Sequence, residues 1–202
     1  MTMKVIKIKD GIPNGTVIPM SALMGADGAV GKWVEQQLIR KYFPLVDGSG
    51  PDMPSLGIEI KTRTVGTNAM LTVGTMTVND ISTKDWEYTH LYNKLQNMYI
   101  VYYDRDTAVV TKNYMVDLGG SDLQEKFKKA YEKGARIVSA QEEIGIHNTV
   151  TCGQYGHFEP KYVGQIFNGS YAFRIPVKGW RMVENEALSR KFYENLFEEE
   201  GV

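Results

Sequence analysis

The chain has 202 residues, of which 43% are hydrophobic, with a formal net charge of −1. That length suits one ordinary globular domain with a small lobe attached, and that hydrophobic share excludes a disordered chain. The single cysteine, Cys152, excludes an internal disulfide, no apolar run reaches membrane-span length, and the balanced charge argues mildly against a nucleic-acid partner.

The opening MTMKVIKIKDG lacks the apolar block of a leader peptide. Its alternating Val5, Ile6 and Ile8 among lysines predict a first strand, and a cytoplasmic location is expected. Residues 12 to 29 are rich in Gly, Pro and small residues and read as loops. A helix is predicted from Val30 to Phe43, stopped by Pro44. VDGSGPDMP is turn chemistry. A strand follows over Leu56 to Arg63, and AMLTVGTMTV has the Thr/Val character of its partner. TKDWEYTHLYNKLQN reads as one helix. MYIVYYD and TAVVTKNYMVDL read as a hairpin joined by DRDT. Ser121 and Gln124 form a capping-box pattern opening a helix with a stripe of Leu123, Phe127, Ala130 and Tyr131, and Gly134 suits its C-terminal end. NTVTCGQYGHFEPKYVGQ reads as a Gly-rich loop with strand edges. SYAFRIPV and WRMVE read as late strands, and Glu186 to Phe197 as a terminal helix. The mixture predicts an α/β (α+β) fold with a central mixed sheet flanked by helices.

The strand Leu56-Gly57-Ile58-Glu59-Ile60-Lys61-Thr62-Arg63 carries the chemistry. Side chains alternate faces along a strand, so Ile58, Ile60 and Thr62 point one way and Glu59, Lys61 and Arg63 the other. Asp52 precedes Glu59, and Pro51, Pro54 and Gly57 permit a tight turn that would bring the two carboxylates together. Close carboxylates repel unless a cation sits between them. Oxygen ligands, with the Ile60 carbonyl as a third, suit Mg2+ or Mn2+ rather than zinc. Lys61 beside such an ion could orient an attacking water and stabilise a pentavalent transition state. The other reading is a solvated strand face with a Glu-Lys-Arg ladder. Glu35 adds to the first reading. At about 100° per residue it shares a helix side with Leu38, Ile39 and Tyr42, and with Gly28 and Gly31 if the helix begins that early. A carboxylate there needs a partner, which Lys32 or Lys61 would provide in a purely structural role.

The D-x6-E-x-K arrangement of Asp52, Glu59 and Lys61 resembles the signature of the PD-(D/E)XK nucleases. GAVGKWVE followed by PDMPSLGIEIKTR resembles the MutH-like branch, which includes a nicking endonuclease and related type II restriction enzymes, through Gly28, Gly31, Glu35, Asp52, Leu56, Gly57, Glu59, Lys61 and Thr62. DWEYTHLYNKL is similar to that branch's Trp-x-x-[Ser/Thr]-His-x-x-x-Lys helix at Trp86, Thr89, His90 and Lys94, the Trp, His and Lys lying four apart on one face. The resemblance covers roughly residues 28 to 95.

The resemblance implies a restriction-endonuclease-like fold. It implies a single nuclease domain over 1–202, with a catalytic core over about 28–118 and a second lobe with DNA-recognition elements over about 119–202. It implies a Mg2+-dependent, site-specific DNA endonuclease of type II restriction type. A nicking enzyme, or an inactive DNA-binding protein of the same fold, is the alternative. Asp52, Glu59 and Ile60 would hold the metal. Lys61 would position the water, Lys94 would support the phosphate, and Glu35 would be an accessory acid. The substrate would be double-stranded DNA and the protein a monomer or homodimer. Glu159-Pro160-Lys161 falls where the family carries a base-reading Arg-Pro-Lys stretch. A carboxylate cannot donate to guanine, so GATC specificity is not carried over. Tyr155, His157, Lys161 and Arg174 are candidate DNA contacts, as is His90 through a backbone phosphate.

Overall fold

A computed structural model describes residues 12–42, 50–53, 57–67, 70–119 and 122–177. The first predicted strand, Pro44, Ser121, WRMVE and the terminal helix lie outside these residues. The described residues form two compact units. One comprises those up to Thr67 together with Asn97–Asp117, and the other those from Met70 to Gln96 and from Leu118 onward. The division therefore crosses the chain more than once, and residues 70–96 are not part of the unit that carries the charged strand.

The first unit is built on a three-stranded mixed sheet. Strand β1 (Ile58–Thr64) lies parallel to β3 (Asn97–Asp104), which pairs antiparallel with β4 (Val109–Asp117). The hairpin between β3 and β4 is the one predicted. Asp104 closes it by accepting from the Asp106 and Thr107 N–H groups at 2.8 and 3.0 Å. Before the sheet come a short α1 (Met20–Leu23) and the long α2 (Ala29–Tyr42), which matches the predicted helix to within a residue at each end. Residues expected to be plain loop bond along the outer edge of β4, with Ile18 N–H donating to the Ala108 carbonyl at 2.7 Å and Gly15 N–H to that of Val110 at 2.8 Å. Val30, Val34 and Leu38 of α2 pack on Ile58 and Ile60 of β1 and on Tyr99 and Val101 of β3. Apolar burial of this kind is the main stabilising term for such a layer.

The second unit has a four-stranded antiparallel sheet in the order β2-β7-β6-β5. Its strands are β2 (Leu71–Thr77), β5 (Val150–Thr151), β6 (His157–Val163) and β7 (Ile166–Ile175). The strands are thus shared between two sheets, not gathered in one central sheet. β2 ends sooner than predicted, because Thr77 caps a short α3 (Val78–Thr83) by accepting from Asp80 N–H at 3.1 Å. The single helix expected over residues 83–97 is also broken. Trp86–Tyr88 form a 3₁₀ turn and His90–Lys94 a separate α4, with Thr89 extended between them at φ −85° and ψ 150°. Thr89 Oγ1 donates to the Trp86 carbonyl at 2.7 Å and accepts from Tyr92 N–H at 3.1 Å, the N-cap role that suits threonine. Trp86 therefore does not share a helix face with His90 and Lys94. It is a core residue instead, its ring 5.3 Å from that of Tyr131 and 6.3 Å from that of Phe173.

Helix α5 (Leu123–Glu143) buries Phe127, Ala130 and Tyr131 as its stripe predicts. The expected capping box rests on Ser121, outside the described residues; the Gln124 side chain donates to the Leu95 carbonyl. The helix does not stop at Gly134, which is buried in mid-helix. A Cβ at Gly134 would lie 2.5 Å from Cys152 Sγ and 2.6 Å from the Phe158 ring, so the residue is there for close approach to the sheet. Gly134→Ala should lower stability by about 1–3 kcal/mol through overpacking, read as a fall in the urea midpoint with unchanged slope.

Candidate active site

A bridge between Met53 and Ile58 brings Asp52 against β1. Gly57 has φ +60°, a left-handed conformation that favours glycine. The chain doubles back there, so that Met53 N–H donates to the Ile58 carbonyl at 2.9 Å and Ile58 N–H to that of Met53 at 3.2 Å. Next to this bridge Asp52 Oδ2 accepts from the Ile60 N–H at 2.8 Å. Alternate residues of a strand present both N–H and C=O to the same edge. Ile58 and Ile60 therefore address the edge facing away from β3, and the Ile60 carbonyl leaves β1 on the side where Asp52 lies.

Glu59 points across the sheet, opposite Ile58 and Ile60. It is fully buried, at 0% exposure. Its Oε1 is 2.5 Å from Lys61 Nζ, two residues along the same face. A buried carboxylate costs several kcal/mol unless a cation and hydrogen bonds offset it, on the order of the penalties known for buried ions. Lys61, with 21% of its side chain exposed, supplies that positive charge. The solvated-ladder reading of this strand therefore fails at Glu59. Further along, Arg63 is half-buried and donates to the Thr67 carbonyl at 3.0 Å.

Asp52 thus caps the N–H of the peptide group that follows Glu59, whose own side chain leaves on one face of the sheet toward Lys61. Among the described residues no group of three or more His, Cys, Asp or Glu side chains gathers as a metal cluster. The donor set here is two carboxylates and the Ile60 carbonyl, all hard oxygens, and a buried acid that needs positive charge. That chemistry fits a hard divalent cation that keeps waters of its own. Glu35 is half-buried on α2, one turn after Gly31, which rides over β1 with Thr62 Oγ1 3.7 Å from where a Cβ would be.

The other predicted site residues belong to the second unit. Lys94 ends α4 and is half-buried. The His90 ring packs over Gly74 of β2, its Nε2 3.0 Å from where a Cβ would stand there. Its pKa is held below the ordinary value chiefly by burial, then by the Lys94 and Lys84 charges, against Asp80 and a hydrogen bond to the Thr75 backbone. A neutral imidazole brings no charge to a phosphate. Glu159-Pro160-Lys161 lies on strand β6 and not in a loop. Arg174 of β7 donates to Glu159 Oε2 at 2.5 Å, so this acid is held by an arginine from the neighbouring strand. His157 faces Arg174 and Thr151 across the sheet, Tyr155 carries Lys126 Nζ at 5.3 Å from its ring, and Lys161 is exposed. The Glu159–Arg174 pair went unread in the sequence because its residues are fifteen apart; only the strand register brings them together.

An acid folded back onto the strand that carries Glu-x-Lys, with a helix packed behind a mixed sheet, is the arrangement that the resemblance to the PD-(D/E)XK nucleases implies. Residues 46–128 match a family model, MutH, described as DNA mismatch repair enzyme MutH. Over this segment the chain is similar to the MutH-like branch of the PD-(D/E)XK nucleases, and its mixed α/β architecture accords with that branch's restriction-endonuclease-like fold. Such a segment implies a nuclease, that is, a hydrolase. The match includes Asp52, Glu59, Lys61 and Lys94, and leaves Glu35 and strands β5 to β7 outside it. No curated protein matches the chain.

The lowered His90 pKa sets a sign for acid sensitivity. The unfolded chain takes up a proton near the ordinary 6.5, while folded His90 resists it. The contribution is fully present above that pH and is lost as pH falls through 6.5 toward the folded value. Urea midpoints compared at about pH 7.5 and about pH 5 should drop more for the wild type than for His90→Gln.

Proposed function

We propose that this protein is a divalent-metal-dependent DNA endonuclease. The buried Glu59–Lys61 pair beside the Asp52-capped Ile60 peptide is the observation that carries the reading. Asp52, Glu59 and the Ile60 carbonyl would hold Mg2+, with Mn2+ as substitute. A cation in such a site draws charge from a phosphate and acidifies water. The chain's own groups do the rest. Lys61 keeps a positive charge beside the acids, where it orients the attacking water and offsets the charge that develops on the phosphate. Asp52, anchored by the Ile60 N–H, holds one carboxylate oriented before substrate arrives. Glu35, on the helix that packs against the Ile58 and Ile60 face, would be an accessory acid, and Lys94 would support the phosphate.

The substrate is double-stranded DNA, cut at a defined site in the manner of a type II restriction enzyme. Glu159, an acid that cannot donate to guanine, favours a recognition sequence different from GATC. The family description, a mismatch repair enzyme, favours nicking of one strand as a second reading. A homodimer would cut both strands across a symmetric site, and a monomer would nick or cut in turn.

Plasmid incubated with Mg2+ should be cleaved and EDTA should abolish cleavage. Asp52→Ala and Lys61→Ala should each reduce the rate by at least about a hundredfold while leaving DNA binding measurable. Cleavage at the wild-type rate by either variant would refute the assignment. Sequencing the cut ends reports the site and separates a nick from a staggered double-strand break.

A further inference from the structure

The face of β1 that carries Glu59 does not end at Lys61. The strand register aligns three rows across β1, β3 and β4. Glu59 stands beside Met98 and then Val116, Lys61 beside Ile100 and then Tyr114, and Arg63 beside Tyr102 and then Lys112. Directly paired residues share a sheet face, so these nine side chains lie together. The first row is fully buried. In the last row Arg63 and Tyr102 are half-buried and Lys112 is exposed, with half-buried Tyr114 beside it. The face therefore grades from a dry acidic end to a wet basic and aromatic one over two strand steps.

Its open end has a defined construction. The Tyr102 and Tyr114 rings meet edge to face at 5.9 Å. Lys112 Nζ sits 5.0 Å from the first ring centre and 5.7 Å from the second. Among the described residues no carboxylate pairs with Lys112, whose charge is held over ring faces and stays available to an anion. The nearby Asp104 carboxylate is committed to the N–H groups of its own turn. Ring faces that hold a lysine against a sheet also keep it from folding away into solvent, which reduces the ordering cost of a contact.

We infer that Arg63, Tyr102, Lys112 and Tyr114 form a track for the phosphate backbone of duplex DNA flanking the bond to be cut, continuous through Lys61 with the candidate active site. This rests on the proposed nuclease reading for its orientation. Charge complementarity carries the choice of partner. Two cations and two phenols on one face suit a row of phosphates, whose contacts position a duplex without reading its sequence. The track also explains how a chain of net charge −1 could hold a polyanion, since the positive charge is local.

The test is the salt dependence of binding of a labelled mixed-sequence duplex, in EDTA so that no cleavage intervenes. Arg63→Gln and Lys112→Gln should each weaken binding about threefold to thirtyfold near 0.1 M salt, and each should reduce the slope of log K against log salt by about one. Lys112→Arg should bind as the wild type does. Unchanged affinity and slope in both glutamine variants would overturn the inference. So would lowered thermal stability with an unchanged slope, the mark of a merely structural role. The two proposals separate cleanly. A wild type that binds duplex through these residues but never cleaves it sinks the nuclease reading and leaves the track standing. A wild type that cleaves while both variants bind normally sinks the track alone. A wild type that binds no duplex sinks both.

Discussion

The structure depends on one ion pair in an unfavourable place. Glu59 is wholly buried, and Lys61 is the cation set against it at 2.5 Å. Replacing such a pair by apolar residues is often neutral or stabilising, so stability alone gives little reason to retain it. The pair makes sense as preorganisation. A carboxylate is held oriented beside a lysine in a dry setting, where electrostatic interaction with any further cation is much stronger than in water. Asp52 is prepared in a different way. It is clamped on a strand edge by one backbone N–H, and it reaches that edge because the chain reverses at Gly57 and pairs Met53 with Ile58. The two acids are placed by separate routes, Glu59 by strand alternation and Asp52 by the chain reversal.

Packing explains why this arrangement holds its shape. Ile58 and Ile60, which flank Glu59 in sequence, are both buried under α2 with Val30, Val34 and Leu38. Their position sets the strand's rotation about its axis, and that rotation sends Glu59, Lys61 and Arg63 to the opposite face. A slip of one residue would exchange the two sets entirely. Parallel pairing with β3 then adds the Met98, Ile100 and Tyr102 series alongside, so dryness at Glu59 and wetness at Arg63 are two ends of one register.

Local patterns were legible in the sequence; long-range partnerships were not. The alternation of β1, the span of α2, the β3–β4 hairpin and the stripe of α5 all follow from periodicity and turn residues. The fold-back of Asp52 was readable from its prolines and glycine. Gly134 misled because a glycine late in a helical pattern normally ends it, whereas here the sheet needs room for Cys152 and Phe158. Thr89 broke a helix that spacing alone made continuous, since its side chain offers the backbone a cap on one side and a turn on the other. The pairing of Arg174 with Glu159 and the rows across β3 and β4 depend on register, which a strand pattern does not specify. In the site, residue types pointed to the acids and lysine. The burial of Glu59, which separates it from an acid on a solvated strand face, required the fold.

The central claim is that Asp52 and Glu59 are gathered to share a hard cation. A crystal of the protein soaked in Mn2+ and measured for anomalous scattering addresses it most directly. A single peak between the two carboxylates, within coordinating distance of the Ile60 carbonyl, is the result this account predicts. No peak there, or an ion bound elsewhere with Glu59 still closed on Lys61, would contradict it.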